Sequence, residues 1–571
     1  MRIDKYLFLV AALLAMHGWT AVQHILPWPA FYNEWPFVAA LILLAVPALR
    51  AAGSQRRVPT VLMLPLLLAL IPLAQFAAGK IVFFGDALMA ALYLFALWLA
   101  CVVGSRLDAW HGDSFPQALA STILAGALVS VLLAAQQWLR IDLLGIWVVD
   151  MRSDNRPYAN LAQPNNLATL LCLGLAAALY LRERGMLGRT LLWVAALLLI
   201  AGIAMTRSRT ALMTVGAMLV WLLAYRSRLA MRTSAREGIV GLACCMALWI
   251  TWPVISEFLE VHADSRLEGT FGGNVRLVIW RELLDAAFRN PWSGYGWNQV
   301  SVAQVSVAAD HPASILVEHA HNIVIDLLVW NGVALGGVVV VALAAWAVSR
   351  SLRMRSVEAW FGMLALIVAG IHAMFELPLE YAYFLVPLGL CVGIVENRHP
   401  GSSTIPLPGR ATRVGAVLAC CLFAAVFVEY QTIEADFRRM RFEAAKIEKR
   451  PEMPTAPDVV LLTQLREYIR FARTEAREGM SEEELRWMRS VAHRFPFAPA
   501  LFRHVVALAL NGRHEEARME FVRFQRLHSP AHFDEAVQSL HAMASKYPQL
   551  LIITSDSTLS QDGRNRNPGR S

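Results

Sequence analysis

Thirteen long apolar segments constrain this chain more than any other feature. They run over 6–23, 36–52, 58–78, 82–103, 116–138, 164–181, 188–206, 208–225, 238–255, 321–348, 357–375, 379–396 and 411–430. About 20 apolar residues carry a helix across a bilayer. Lipid offers no partner to a bare amide, so such segments satisfy their hydrogen bonds internally, as helices. Charged residues make up only 16% of the chain and mean hydropathy is +0.47, against roughly 25% charge in an average soluble protein. A soluble enzyme, a disordered chain and a disulfide scaffold are excluded. The reading is an all-α polytopic membrane protein with about 13 transmembrane helices.

The charge deficit is uneven. Residues 431–571 carry 22 Lys/Arg and 19 Asp/Glu of the chain's 94 charges. We therefore divide the chain into a transmembrane domain, 1–430, a polar helical domain, 431–553, and a Ser/Asn/Gly/Arg-rich tail, 554–571, expected to be disordered. Segments 139–163 and 256–320 are too long to be idle turns. The first apolar segment follows Arg2 and Lys5 but lacks a convincing cleavage site, so it reads as an uncleaved first span.

Loop charges orient the spans. With the N-terminus in the cytoplasm, inside segments hold 19 basic residues and short outside loops hold six, as the positive-inside rule requires. The polar domain then lies outside, which fits a bacterial inner membrane and its periplasm. The net charge of +8 resides largely in short loops, so it reads as a topology signal and not as nucleic-acid binding. All seven cysteines fall in apolar runs without zinc-ligand spacing. No cofactor or metal is expected. In the polar domain, Ala500–Leu510 and Glu515–Leu527 form amphipathic helices around Asn511-Gly512-Arg513-His514. This looks like one tetratricopeptide-like unit, although Val505 stands where a small glycine is expected. A partial second unit is expected over Ser481–Arg494.

Polar residues at the expected outer face carry the chemistry, because charge near lipid is costly without a partner or a function. Arg207 and Arg209 occupy a short turn where the topology bias disfavours arginine. Arg276 and Trp280 share a helical face at i,i+4 in the long loop. A lipid-headgroup anchor is the bland reading of the first pair, and an Arg–aromatic contact that of the second. Glu318-His319-Ala320-His321-Asn322 precedes the tenth span, and histidine exchanges a proton near neutral pH. The spacing of the two histidines does not favour a shared metal. Arg156 to Asn166 enters the sixth span, where Asn165 or Asn166 would cap a helix and Gln163, Asn165 and Asn166 would hydrogen-bond a sugar or phosphate. Guanidinium forks match phosphate oxygens. The set points to a lipid-linked pyrophosphate compound with an outward head group. The outer loops show no convincing carboxylate cluster.

The ordered motifs Ser208-Arg209, Arg276-Leu277-x-x-Trp280, Pro291-Trp292-Ser293-Gly294-Tyr295-Gly296 and Ala320-His321-Asn322 are similar to the O-antigen ligase/polymerase superfamily. Pro157 to Thr169 resembles its PglL-type protein O-oligosaccharyltransferases. The resemblance implies a GT-C-like fold and transfer of a glycan from undecaprenyl diphosphate to a periplasmic protein hydroxyl. His321 would be the general base. Arg209 and Arg276 would stabilise the leaving diphosphate, with Arg207, Gln163, Asn165, Asn166, Asn322, His319 and Trp280 around the substrates. The expected partners are the lipid-linked donor, a Ser/Thr acceptor protein and membrane lipid. An O-antigen polymerase or lipid A-core ligase is the alternative, and a lipid-linked glycan flippase a more distant one.

Overall fold

Every expected apolar segment overlaps a helix. The computed structural model describes residues 2–50, 57–151, 156–259, 261, 273–311, 315–407, 409–447 and 455–554. The expected tail therefore lies, from residue 555 on, outside the described residues. Among the described residues, nine helices are long and apolar enough to cross a membrane. Arg209–Tyr225, Val357–Ala373 and Ala382–Asn397 are apolar but shorter. Length and composition support nine spans among the described residues, and thirteen stays the expectation from sequence.

Thr60–Ala77, within segment 58–78, is one of the nine, built from a 3-10 turn, Thr60–Met63, followed by Leu64–Leu68 and Leu70–Ala77. Pro65 and Pro72 sit in this stretch and have no N–H to continue a helical ladder. One short two-stranded sheet accompanies the helices. Arg57–Pro59 pairs antiparallel with Thr404–Pro406, in the register Arg57 to Pro406, Val58 to Ile405 and Pro59 to Thr404.

Small residues set the closest helix packing. Phe84–His111 lies against Ala382–Asn397, and a Cβ on Gly104 or Gly393 would run into the other helix's backbone. Bare glycines let membrane helices approach this far, and dispersion then replaces the absent hydrophobic drive. Pro164–Glu183 is buried along nearly its whole length, packing on Ser114–Leu139, Arg189–Thr206 and Val357–Ala373. Its C-terminal end belongs to a charged cluster, in which Arg398 meets Asp108 at 2.7 Å and Arg184 meets Glu358 at 3.3 Å. Its N-terminal end reaches the amide and histidine residues described below.

The helix Gly409–Ala444 runs straight through residue 430, so the membrane and polar domains share one continuous helix. Six further helices follow: Thr463–Arg473, Glu482–Arg494, Ala498–Leu510, His514–Leu527, Pro530–Ala544 and the short Leu551–Thr554. The second starts at Ser481 with a capping box, Ser481 and Glu484 exchanging side chain-to-backbone bonds of 2.8 and 3.1 Å. Ala498–Leu510 and His514–Leu527 fold back on each other around a short turn and bury Leu501, Val505, Ala517, Phe521 and Phe524. Val505 fills the position a glycine would have left open.

This domain seats on the membrane domain. Arg494 grips Asp86, at the start of Phe84–His111, with two bonds of 2.8 and 2.9 Å. Gly85 N donates to Thr463 Oγ1 at 2.8 Å. Phe83, Val305 and Ala308 join the polar domain's own core.

Candidate active site

The chain around His321 is held from both sides. Asn322 is the N-cap of Ile323–Leu352, its side-chain oxygen accepting from Val324 N at 3.0 Å and Ile325 N at 3.3 Å. Its amide donates to the Met374 carbonyl at 3.3 Å. On the other side, Ala320 N donates to Asp326 at 2.8 Å, and the Ala320 carbonyl accepts from Trp280 Nε1 at 2.8 Å. Between these anchors His321 takes φ = 51°, a left-handed conformation that a residue with a Cβ adopts at a cost of about 1–2 kcal/mol. The anchors fix where its imidazole points.

That imidazole meets Glu376. His321 Nδ1 lies 3.0 Å from Glu376 Oε2. Gln163 Nε2 donates to the same oxygen at 3.2 Å. Arg276 Nη2 and Asn165 Nδ2 donate to Oε1 at 2.7 and 3.1 Å. One carboxylate thus gathers four side chains from three separate regions of the sequence. Burial alone would raise its pKa, but the His321 bond and the charges of His321 and Arg276 outweigh burial and hold it below the ordinary carboxylate range. Glu376 therefore stays ionised at neutral pH. An Nδ1–H directed at it leaves the imidazole lone pair on Nε2, as a general base requires.

The other expected residues divide. Trp280, one turn beyond Arg276 on Gly273–Arg289, steadies the histidine loop. Arg276 pairs with Glu376 and not with the neighbouring ring of the bland reading, and Trp280 turns to the Ala320 carbonyl. Asn165 and Asn166 do not cap their helix: Gln163 is the N-cap residue and caps nothing with its side chain. Pro164 at the first position removes one donor that would need capping. Asn165 turns instead to Glu376, and Asn166 donates to Tyr383 Oη at 3.0 Å.

Arg207 lies over the Trp249 ring at 4.2 Å and donates to the Trp249 carbonyl. Arg209 is exposed at the start of its helix. Their turn is tied to the cluster by Arg156, whose Nε donates to Thr206 O at 2.9 Å and whose Nη2 lies 3.5 Å from Asn165 Oδ1. His319 is largely buried, and burial, with the charges of Arg494 and His321, lowers its pKa to about 3. It is a poor proton acceptor.

A cavity of about 1190 Å³ opens beside the cluster. Leu68, Leu97, Val338 and Leu388 stand for its many apolar walls, while Gln163, His321 and Glu376 mark its polar end. Glu34, Asp86, Glu318 and Glu380 also line it. These carboxylates are dispersed in sequence and line one cavity only through folding, which is why Glu376 was missed. The available signal was a glutamate directly after an apolar segment, in Phe375-Glu376-Leu377.

Three family patterns match this chain. Residues 157–181 match a protein glycosylation ligase, 194–340 an O-antigen ligase, and 360–541 the C-terminal part of a virulence factor membrane-bound polymerase. A general O-oligosaccharyltransferase of Acinetobacter baylyi is 29% identical over 550 residues, 94% of this chain and 95% of the relative. The chain is similar to the PglL-type protein O-oligosaccharyltransferases and to O-antigen ligases. A second relative from the same organism, a ComP-specific O-oligosaccharyltransferase, is 26% identical over 359 residues, 62% of this chain and 65% of its own length. The matched stretches include Gln163, Asn165, Arg276, His321 and Glu376, the side chains that meet at one carboxylate.

Proposed function

We propose that this protein transfers a preassembled oligosaccharide from undecaprenyl diphosphate to Ser/Thr hydroxyls of periplasmic or pilin proteins. The observation that carries the reading is the Glu376 carboxylate, which holds the imidazole of His321 and the guanidinium of Arg276 at one polar end of a mostly apolar cavity. Such a cavity suits a substrate with a lipid tail and a charged head. The chain would sit in the bacterial inner membrane, N-terminus in the cytoplasm and polar domain in the periplasm.

His321 Nε2 takes the acceptor hydroxyl proton as the oxygen attacks the anomeric carbon. The bond from that carbon to the diphosphate oxygen breaks, and the lipid diphosphate leaves with the bonding pair. Attack opposite the leaving group inverts the anomeric centre. Arg276 and Arg209 meet the charge developing on the diphosphate, with Arg207 in support. Glu376 keeps the imidazole oriented and balances its positive charge after proton transfer. Arginine supplies the countercharge, so the scheme requires no metal.

The test is transfer by purified protein with donor and three acceptors: a Ser/Thr protein, lipid A-core and a second lipid-linked glycan. Protein glycosylation that disappears in His321→Ala, with the variant still in the membrane, is the expected result. Transfer to lipid A-core alone would instead support the ligase reading. Near-normal protein glycosylation by His321→Ala would remove His321 as base.

A further inference from the structure

Away from the cavity, three successive helices of the polar domain bring His493, His504 and Glu520 together. One ligand atom from each lies within 4.8 Å of the other two. His493 Nε2 stands 3.1 Å from both Glu520 oxygens. His504 is 1% exposed, and neither of its ring nitrogens has a hydrogen-bond partner. A buried imidazole with both nitrogens unmet is unusual, since buried polar atoms are overwhelmingly paired.

We propose that His493, His504 and Glu520 bind one zinc ion that staples the three helices together. Two imidazole nitrogens and a carboxylate oxygen form a zinc donor set, with water in the fourth position of the tetrahedron. Ligand atoms around a tetrahedral zinc with bonds of 2.0–2.1 Å stand about 3.3 Å apart. The His493–Glu520 pair already has nearly that spacing, and His504 closes the remaining gap. The competitor is Arg523, whose Nη1 lies 2.5 Å from Glu520 Oε1. It follows Glu520 by three residues on the same helix, and zinc displaces its guanidinium toward solvent. Arg489 adds positive charge near His504. The site lies outside the transfer machinery and does not depend on the proposed function.

Full-length protein carrying a histidine-free affinity tag is loaded with zinc chloride in detergent and desalted, and metal is counted by mass spectrometry. Wild type should retain about one zinc per chain and melt at a higher temperature than metal-free protein. Cobalt loading should give the visible bands of a tetrahedral ion. His493→Gln and His504→Gln should each lose zinc and cobalt colour, while Arg523→Gln, relieved of the competing cation, should bind at least as tightly as wild type. If His504→Gln fails to fold, the more accessible His493→Gln decides. Wild type that retains no zinc, or histidine variants that retain as much as wild type, would overturn the site.

Discussion

Glu376 shows how one side chain organises a site. Replacing it with glutamine keeps the size but removes the charge that holds His321 and Arg276. Glu376→Gln should lower kcat on the order of 10²-fold with little change in KM for the donor, and Glu376→Asp should recover part of the loss. A variant in which KM rises while kcat holds would make Glu376 a binding residue. His319 supplies the contrast. Its pKa of about 3 lies below ordinary assay conditions, so it remains neutral throughout them. His319→Gln should leave the acid-limb midpoint of kcat/KM unmoved, as measured between pH 5 and 8. A displaced midpoint would show that His319 takes part in the titration.

At the level of elements, a broken helix explains the Pro-Trp-Ser-Gly-Tyr-Gly motif. Ile323–Leu352 is interrupted at Gly332, with φ 77° and ψ 163°. The motif docks against the break: Tyr295 N donates to Val329 O at 2.9 Å, Gly296 N to Trp330 O at 3.0 Å, and Ala334 N to Pro291 O at 3.0 Å. Carbonyls and amides freed by the break thus find partners inside the protein, as a membrane helix requires. Gly294 has φ 59°, and a Cβ there would meet Gly332 N and Val329 O at 2.5 Å. Gly294→Ala should cost roughly 3 kcal/mol, read as a lower melting temperature in detergent. Gly337→Ala on the same broken helix meets nothing within 4 Å and should be neutral or slightly stabilising. Equal effects of the two changes would refute the docking account.

Across the whole molecule, the polar domain helps to wall the cavity. Gln464, Leu465, Arg494 and Phe495 line it beside His319 and His321. The Arg494–Asp86 pair, with side chains 15% and 4% exposed, fastens this wall to the membrane domain. Breaking a buried pair on one side strands the other charge, at about 3–5 kcal/mol. Arg494→Ala should expose the polar domain to limited proteolysis and reduce transfer, and combining it with Asp86→Ala should cost less than the two single losses together. Strict additivity would show that the pair does not couple the domains. Truncation at residue 430 cuts the helix Gly409–Ala444 in its middle, so removal of 431–571 would disturb both domains.

Sequence alone determined the helical membrane architecture, because about 20 consecutive apolar residues admit few structures in lipid. It also marked His321, Gln163 and Asn165, polar residues at the starts of apolar segments, and Arg276 in the long loop 256–320. Only tertiary structure decided that these four share Glu376, that Asn165 and Asn166 turn away from capping, and that segment 58–78 is built from a 3-10 turn and two short helices. Periodicity and spacing report neighbours along one helix. A carboxylate gathering partners from residues 163–165, 276 and 321 leaves no local periodicity to read. Its partners meet only when the ends of different helices are packed side by side.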